Sequence, residues 1–251
     1  MQEQQTDPKP LAAIAPQVQA NATSRRKPLS EAELADREQQ RETERRGDLL
    51  KAVIKAAGGE RYRGYKLDAW QARTPYQREV LDTVTEWVNS YPDRLATSEG
   101  LILYGPVGTG KDHLMMGAIG RVIGTHGPRS VEWKNGRNLA GDLRDLIGSN
   151  RSEAAFLSEL IHPEILVLSD PLPPNGDLKE HQADMLYRII EGRYAAGRIT
   201  CATINVADDA EADRRMGAAT WDRLCDGAWK IPCFWPSARK PAKEMRPPAN
   251  R

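Results

Sequence analysis

The chain has 251 residues, enough for one α/β domain with flanking segments or for two small domains. Its 36 basic and 35 acidic side chains nearly cancel, so overall charge marks no nucleic-acid partner and any basic footprint must be local. An apolar share of 39% is low for a compact domain and implies an ordinary core diluted by polar ends.

The first twenty residues, MQEQQTDPKPLAAIAPQVQA, lack a basic start and a long apolar run, which argues against a signal peptide. No stretch suits a bilayer span, and the expected compartment is the cytoplasm. Cys201, Cys225 and Cys233 form no C-x-x-C pair and read as buried or idle thiols rather than zinc ligands or a disulfide framework. Residues 1–28, rich in Gln, Pro, Ala and Asn, read as a disordered tail.

Residues 29–57 read as a charged helical arm. Ser30 and Glu33 make a capping box, Glu33/Arg37 and Glu42/Arg46 are supportive i,i+4 pairs, and only Leu49, Leu50, Val53 and Ile54 offer apolar surface for docking. Such an arm is either a solvated spacer or a docking element for a partner protein. Gly58-Gly59 ends it. A second helix fits Pro75 to Ser90, with Val80, Leu81, Val84, Trp87 and Val88 on one face.

Leu101–Tyr104 is a short buried strand ended by a glycine-rich turn, and Leu114, Met115, Ala118, Ile119 and Val122 mark the helix that follows. Val131–Trp133 reads as a strand, Leu139–Ile147 as a helix, Ile165–Leu168 as a central strand, Lys179–Ala195 as a helix and Ile199–Ile204 as a strand. Alternating strands and helices imply a parallel sheet with right-handed crossovers. Residues 240–251 belong to a loose basic tail.

The strongest signal is G-x-x-x-x-G-K over Gly105, Pro106, Val107, Gly108, Thr109, Gly110 and Lys111. Glycines let successive N–H groups turn inward around phosphate oxygens, Lys111 brings charge to the β- and γ-phosphates, and the following helix, starting with Asp112 and His113, points its N-terminus at them. A strand before and a helix after satisfy the context this motif needs. Where a Ser or Thr ordinarily offers a hydroxyl to Mg²⁺, the chain has Asp112, which sets negative charge beside phosphate. The acidic site after the next apolar strand reads Ser169-Asp170. In one register Ser169 takes the metal-side position and Asp170 that of the acid that orients water; in the other, Asp170 is the metal-side acid and Pro171 follows it. The spacing favours the first. Carboxylate and hydroxyl would then have exchanged places around one Mg²⁺, or else catalysis has decayed.

Asn205, closing the strand Ile199–Ile204, suits a contact to the γ-phosphate or the attacking water, or simply starts a turn. Arg223, in Trp221-Asp222-Arg223-Leu224 at a helix end, suits a finger to a neighbouring subunit's nucleotide, or a salt bridge to Asp222 or Asp226. Lys134, Arg137 and Arg144 either face DNA or form a solvated helix face, and Trp133 and Trp229 either stack on bases or pack in the core.

With these residues in this order, the segments LILYGPVGTGKDHL, EILVLSD, RYAAGRITCATIN and WDRL, and then Ser237-Ala238-Arg239, the chain resembles the DnaC/IstB group of AAA+ ATPases, the bacterial and phage helicase loaders and ATP-binding helpers of transposases. The resemblance covers roughly 61–239. It implies an α/β P-loop NTPase of AAA+ type, a three-layer sandwich with a central parallel sheet, preceded by the helical arm. By it Lys111 is the Walker A lysine, Asn205 the sensor-1 residue, Arg223 the arginine finger and Arg239 the sensor-2 arginine. The implied cofactors are ATP and Mg²⁺, and the implied partners are single-stranded DNA, further copies of the chain, and a replicative helicase or transposase gripped through residues 29–57. The expected activity is ATP hydrolysis in DNA replication. Asp112 and Ser169 depart from the pattern and bear on hydrolysis more than on binding, so a nucleotide-dependent scaffold is the alternative. A small-molecule kinase on the same P-loop is a third reading, against which the order of Asn205 and Arg223 stands.

Overall fold

The computed structural model describes residues 29–147 and 152–239. The expected disordered tail (1–28) and basic tail (240–251) lie outside the described residues. The elements are α1 (Glu31–Ala57), α2 (Glu60–Arg63), a 3-10 turn at Leu67–Ala69, α3 (Pro75–Asn89), α4 (Tyr91–Thr97), β1 (Leu101–Tyr104), α5 (Lys111–His126), β2 (Val131–Asn135), α6 (Gly136–Ile147), α7 (Glu153–Ile161), β3 (Ile165–Ser169), α8 (Glu180–Ala195), β4 (Ile199–Ile204), α9 (Asp209–Met216), α10 (Ala218–Cys225) and β5 (Trp229–Pro232).

The five strands form one parallel sheet in the order β2-β3-β4-β1-β5. Alternation along the strands divides the core. Leu101, Leu103, Trp133, Ile165, Val167, Ile199 and Cys201 face α3 and α5, whereas Ile102, Leu166, Leu168, Ala202 and Ile204 face the layer of α6–α10. Helices on both faces make the expected three-layer α/β sandwich. Burial pushes the Cys201 and Cys233 thiols up to about 12, which leaves both inert at neutral pH. Edge strand β5 was not legible in the sequence: it has four residues and an interrupting Lys230, which pairs with Asp209 at 2.8 Å.

The chain divides into two compact units at Glu38/Gln39. In the first, described from residue 29, the start of α1 is exposed and capped as expected. The Ser30 N–H and hydroxyl both donate to Glu33 Oε2 at 2.8 Å, which takes Glu33 for the cap rather than for Arg37.

In the second unit the last turns of α1 are not a free arm. Val53 and Ala57 are buried, with Leu49, Leu50 and Ile54 packed beside them. Arg45 donates to the carbonyls of Gly127 and Pro128 at 2.8 Å, and Arg46 to that of Gly124 at 2.8 Å. These are the open carbonyls at the C-terminal end of α5, where cations are favoured by the helix dipole. Glu42 holds both guanidiniums at 2.7 Å, and those hydrogen bonds keep its carboxyl down at about 2. Nothing in the charged run flagged this, because the acceptors are carbonyls about eighty residues away. Replacing Arg45 and Arg46 together by Ala should cost about 1–2 kcal/mol, discounted for partial exposure. Amide exchange should rise at the end of α5 and over residues 45–57; unchanged protection there would mean that the arginines do not anchor the helix.

Candidate functional site

The glycine turn between β1 and α5 closes around Lys111, which is 5% exposed. Its ammonium donates to the Gly105 carbonyl at 2.8 Å and the Pro106 carbonyl at 2.7 Å. Burial lowers its pKa, and the nearby Asp170 pulls it back up. Thr109 Oγ1 donates to the Pro106 carbonyl at 3.2 Å, and the Trp235 indole N–H to that of Thr109 at 2.8 Å. Gly108 (φ +88°) lies under the segment after β5: the Ala238 N–H donates to its carbonyl at 2.9 Å, and a Cβ there would stand 2.2 Å from Ser237 Oγ. Arg239 follows on that segment, and its charge acts on both Lys111 and Asp170.

Asp112, in the first turn of α5, joins three elements. Its Oδ1 accepts from Ser169 Oγ at 3.1 Å and from Thr203 Oγ1 at 2.7 Å, and its Oδ2 from the Tyr62 hydroxyl at 3.3 Å. Ser169 and Thr203 are register partners across β3 and β4. Burial, and then the Asp112 charge, pushes the Tyr62 phenol well above its ordinary range. Asp170 takes a left-handed backbone (φ +47°), and its carboxylate meets the Asn205 amide, whose Nδ2 donates at 2.5 Å. Burial raises the Asp170 pKa, and the Asp112 charge adds to it.

Of the two registers, the geometry therefore pairs Ser169 with Asp112, while Asp170 meets Asn205. Strand alternation explains this, since Ser169 shares the α5 face with Ile165 and Val167. The same rule places Thr203 with Ile199 and Cys201, a signal present in the sequence but not drawn from it. Tyr62 and Trp70, whose Nε1 would lie 3.1 Å from a Cβ at Gly110, come from the segment between the arm and α3, and no motif announced them.

Some expected residues lie elsewhere. The His113 imidazole turns away from the cradle, stacking on Tyr65 at 4.5 Å and meeting the Lys66 carbonyl at 3.1 Å, so only its backbone belongs to the turn. Arg223 bonds Glu191 at 3.0 Å and lies 4.7 Å over the Tyr194 ring, rather than pairing with Asp222 or Asp226. It borders a pocket of about 310 Å³ with Gly100, Arg198 and Thr200, at the ends where β1 and β4 begin, opposite the cradle. Trp133, 2% exposed, is core, and Trp229 is held by Glu99 and Arg94, so neither is a free stacking platform. Lys134 pairs with Glu132 and Asp142, whereas Arg137 and Arg144 are exposed.

Asp112, Ser169 and Asp170 offer oxygen donors of the hard type that Mg²⁺ takes. Among the described residues no three His, Cys, Asp or Glu side chains gather into a complete metal site. These three side chains would supply part of a coordination shell, which is how Mg²⁺ is ordinarily bound beside phosphates.

A five-stranded parallel sheet in this order, with a glycine-rich turn around a buried lysine between β1 and the helix that follows it, is an α/β sandwich of the P-loop type. Solved structures share it. The crystal structure of the DnaC helicase loader superposes with a TM-score of 0.60 at 22% identity, over 69% of this chain and 99% of that one. A putative primosome component from Streptococcus pyogenes serotype M3 does so at 0.57 and 20% identity, over 71% and 90%. AMPPCP-bound DnaA from Aquifex aeolicus matches at 0.51 and 18% identity, over 67% of this chain and 49% of that one. No protein-family model and no curated protein matches the chain. In fold the chain is similar to the DnaC helicase loader. No helix among the described residues is long and apolar enough to cross a membrane.

Proposed function

We propose that the chain is a cytoplasmic ATP-binding AAA+ protein of DNA replication, which assembles on single-stranded DNA and loads or regulates a replicative helicase. The observation that carries this reading is a buried-lysine glycine cradle in a fold whose match covers 99% of the solved DnaC helicase-loader chain. The DnaA neighbour holds an ATP analogue on the same fold, which supports ATP as the ligand.

The turn at residues 105–110 would receive the phosphates on its N–H groups. Lys111 would exchange the Gly105 and Pro106 carbonyls for phosphate oxygens. Asp112, Ser169 and Asp170 would hold Mg²⁺, which when bound neutralises charge on the β- and γ-phosphates. Asn205 and Asp170, already in contact, would position the attacking water, and Arg239 would add positive charge from the segment over Gly108. Arg223, at the far end of the strands, would serve a neighbouring copy's nucleotide rather than its own, and turnover would then involve a homo-oligomer. The arm before residue 45 remains for a partner protein, a helicase or, on a transposase-helper reading, a transposase.

The test is binding and turnover of ATP by the purified chain, with and without single-stranded DNA, beside Lys111→Ala. Loss of the ammonium should weaken ATP binding by about 10- to 100-fold, the scale of one or two charge-assisted hydrogen bonds. DNA-stimulated turnover that disappears in the variant supports the loader reading. Equal binding by both proteins would refute nucleotide binding at this cradle. Binding without turnover favours a nucleotide-dependent scaffold, a second reading that the exchanged residues Asp112 and Ser169 support.

A further inference from the structure

We propose that Asp112 and Ser169 are one functional pair: a carboxylate on the P-loop helix and a hydroxyl on β3 that together hold the divalent cation, in places opposite to those these two groups usually take. The proposal rests on the reading of the cradle as a nucleotide site and deepens it. In ordinary P-loop sites a Ser or Thr after the lysine and an Asp at the end of the strand that corresponds to β3 hold Mg²⁺. Here the residue types are exchanged, and the two side chains meet at 3.1 Å.

The direction of that hydrogen bond matters. A serine hydroxyl has one proton, and Ser169 commits its proton to Asp112, which leaves only lone pairs for any further partner. Such an oxygen can ligate a cation. The carboxylate is aimed by hydroxyls on three elements: Ser169 on β3, Thr203 on β4 and Tyr62 on α2. Three donors leave part of its acceptor capacity free, since an ionised carboxylate has about four lone-pair sites. Thr203 and Tyr62 are thus positioning residues, holding Asp112 where a hydroxyl would ordinarily be.

Electrostatics separates this arrangement from a merely structural one. The N-terminus of α5 favours a negative group, whether Asp112 or phosphate, but not both close together. Two like negative charges held close together repel. A dication between them reverses the sign. Asp112 should therefore make nucleotide binding depend on the cation far more than a neutral residue there would.

The experiment is binding of a fluorescent ATP analogue, in Mg²⁺ and in EDTA, to the wild type, D112T, S169D, the double variant D112T/S169D, and D112N, whose amide oxygen can still accept from Ser169 and Thr203 while its NH₂ can donate to the Tyr62 oxygen. The expected result has two parts. With Mg²⁺, D112T and S169D each lose about tenfold or more in affinity, while the double variant returns to within about threefold of wild type. In EDTA the order inverts, and D112N and D112T bind more tightly than wild type. Additive losses in the double variant, or D112N binding more weakly than wild type in both conditions, overturn the proposal. Thermal melts of each variant read the fold independently, and if D112T does not fold, the D112N comparison decides. Absence of binding by the wild type itself would refute the nucleotide reading and the proposal with it; wild-type binding that K111A abolishes, together with additive losses, refutes the proposal alone.

Discussion

Arg193→Met is expected to destabilise the domain by about 3 kcal/mol or more, lowering the melting temperature by about 6–12 °C. Arg193 is completely buried on α8 and has no acidic partner among its hydrogen bonds. Its Nη1 donates to the carbonyls of Leu160, Ile161 and Pro163 at 2.8–3.0 Å, its Nη2 to that of Ile199 at 2.5 Å, and its Nε to Thr200 Oγ1 at 3.0 Å. The guanidinium therefore ties the end of α7 and the approach to β3 to the first residues of β4. Burial lowers its pKa to about 9, so it remains charged at neutral pH. Removing a buried charge relieves a desolvation cost of several kcal/mol. That relief does not win here. The acceptors are backbone carbonyls that no substitution removes, and each one stranded costs about 1–3 kcal/mol. Arg193→Lys should fall between, because one ammonium has three donors and cannot reproduce the planar fork. Urea denaturation of the three proteins checks the order; a Met variant within about 1 kcal/mol of wild type would mean that water serves these carbonyls.

Gly136→Ala should damage fold and site together. A Cβ at Gly136, where β2 passes into α6, would stand 1.9 Å from the Asp170 carbonyl oxygen and 3.0 Å from Pro171 Cα. These are backbone atoms, so the turn after β3 has to move. That turn holds the left-handed Asp170, whose N–H donates to the Thr203 carbonyl at 2.9 Å and whose carboxylate meets Asn205. Overpacking of this kind costs about 1–3 kcal/mol. A displacement of about 1 Å at positioned groups can cost about 100-fold in rate. Gly141→Ala is the matched control on the same helix. Its Cβ meets nothing within 4 Å, so only helix propensity changes, by up to about 1 kcal/mol in favour of folding. If the two alanines melt alike and turn over ATP alike, the close approach at Gly136 has no consequence.

The glycine turn was legible because its own residues are consecutive. A four-residue apolar strand, three glycines at fixed spacing, a lysine and an apolar helix face occupy consecutive positions, and the structure keeps the bounds of β1 and β4 as read. Capping at Ser30 and Glu33 was legible for the same reason. The Ser169/Asp170 choice was half legible. Spacing favoured Ser169 beside the metal position, but Asp170, which meets Asn205, is a left-handed residue that sequence pattern does not announce. The direction of the His113 imidazole was not legible, because adjacency to the motif says nothing about which way a helical side chain points.

What the sequence determined by itself is the glycine turn with its lysine and the layered α/β frame, since both follow from short-range periodicity and from glycines where the backbone needs them. What only the tertiary structure decided are the long-range partners: Asp112 among the hydroxyls of Tyr62, Ser169 and Thr203, Arg193 among four carbonyls, and Arg45 and Arg46 at the end of α5. A polar side chain's identity states what it can bond, but which acceptors stand within 3 Å is settled only when strands from distant parts of the chain come into register.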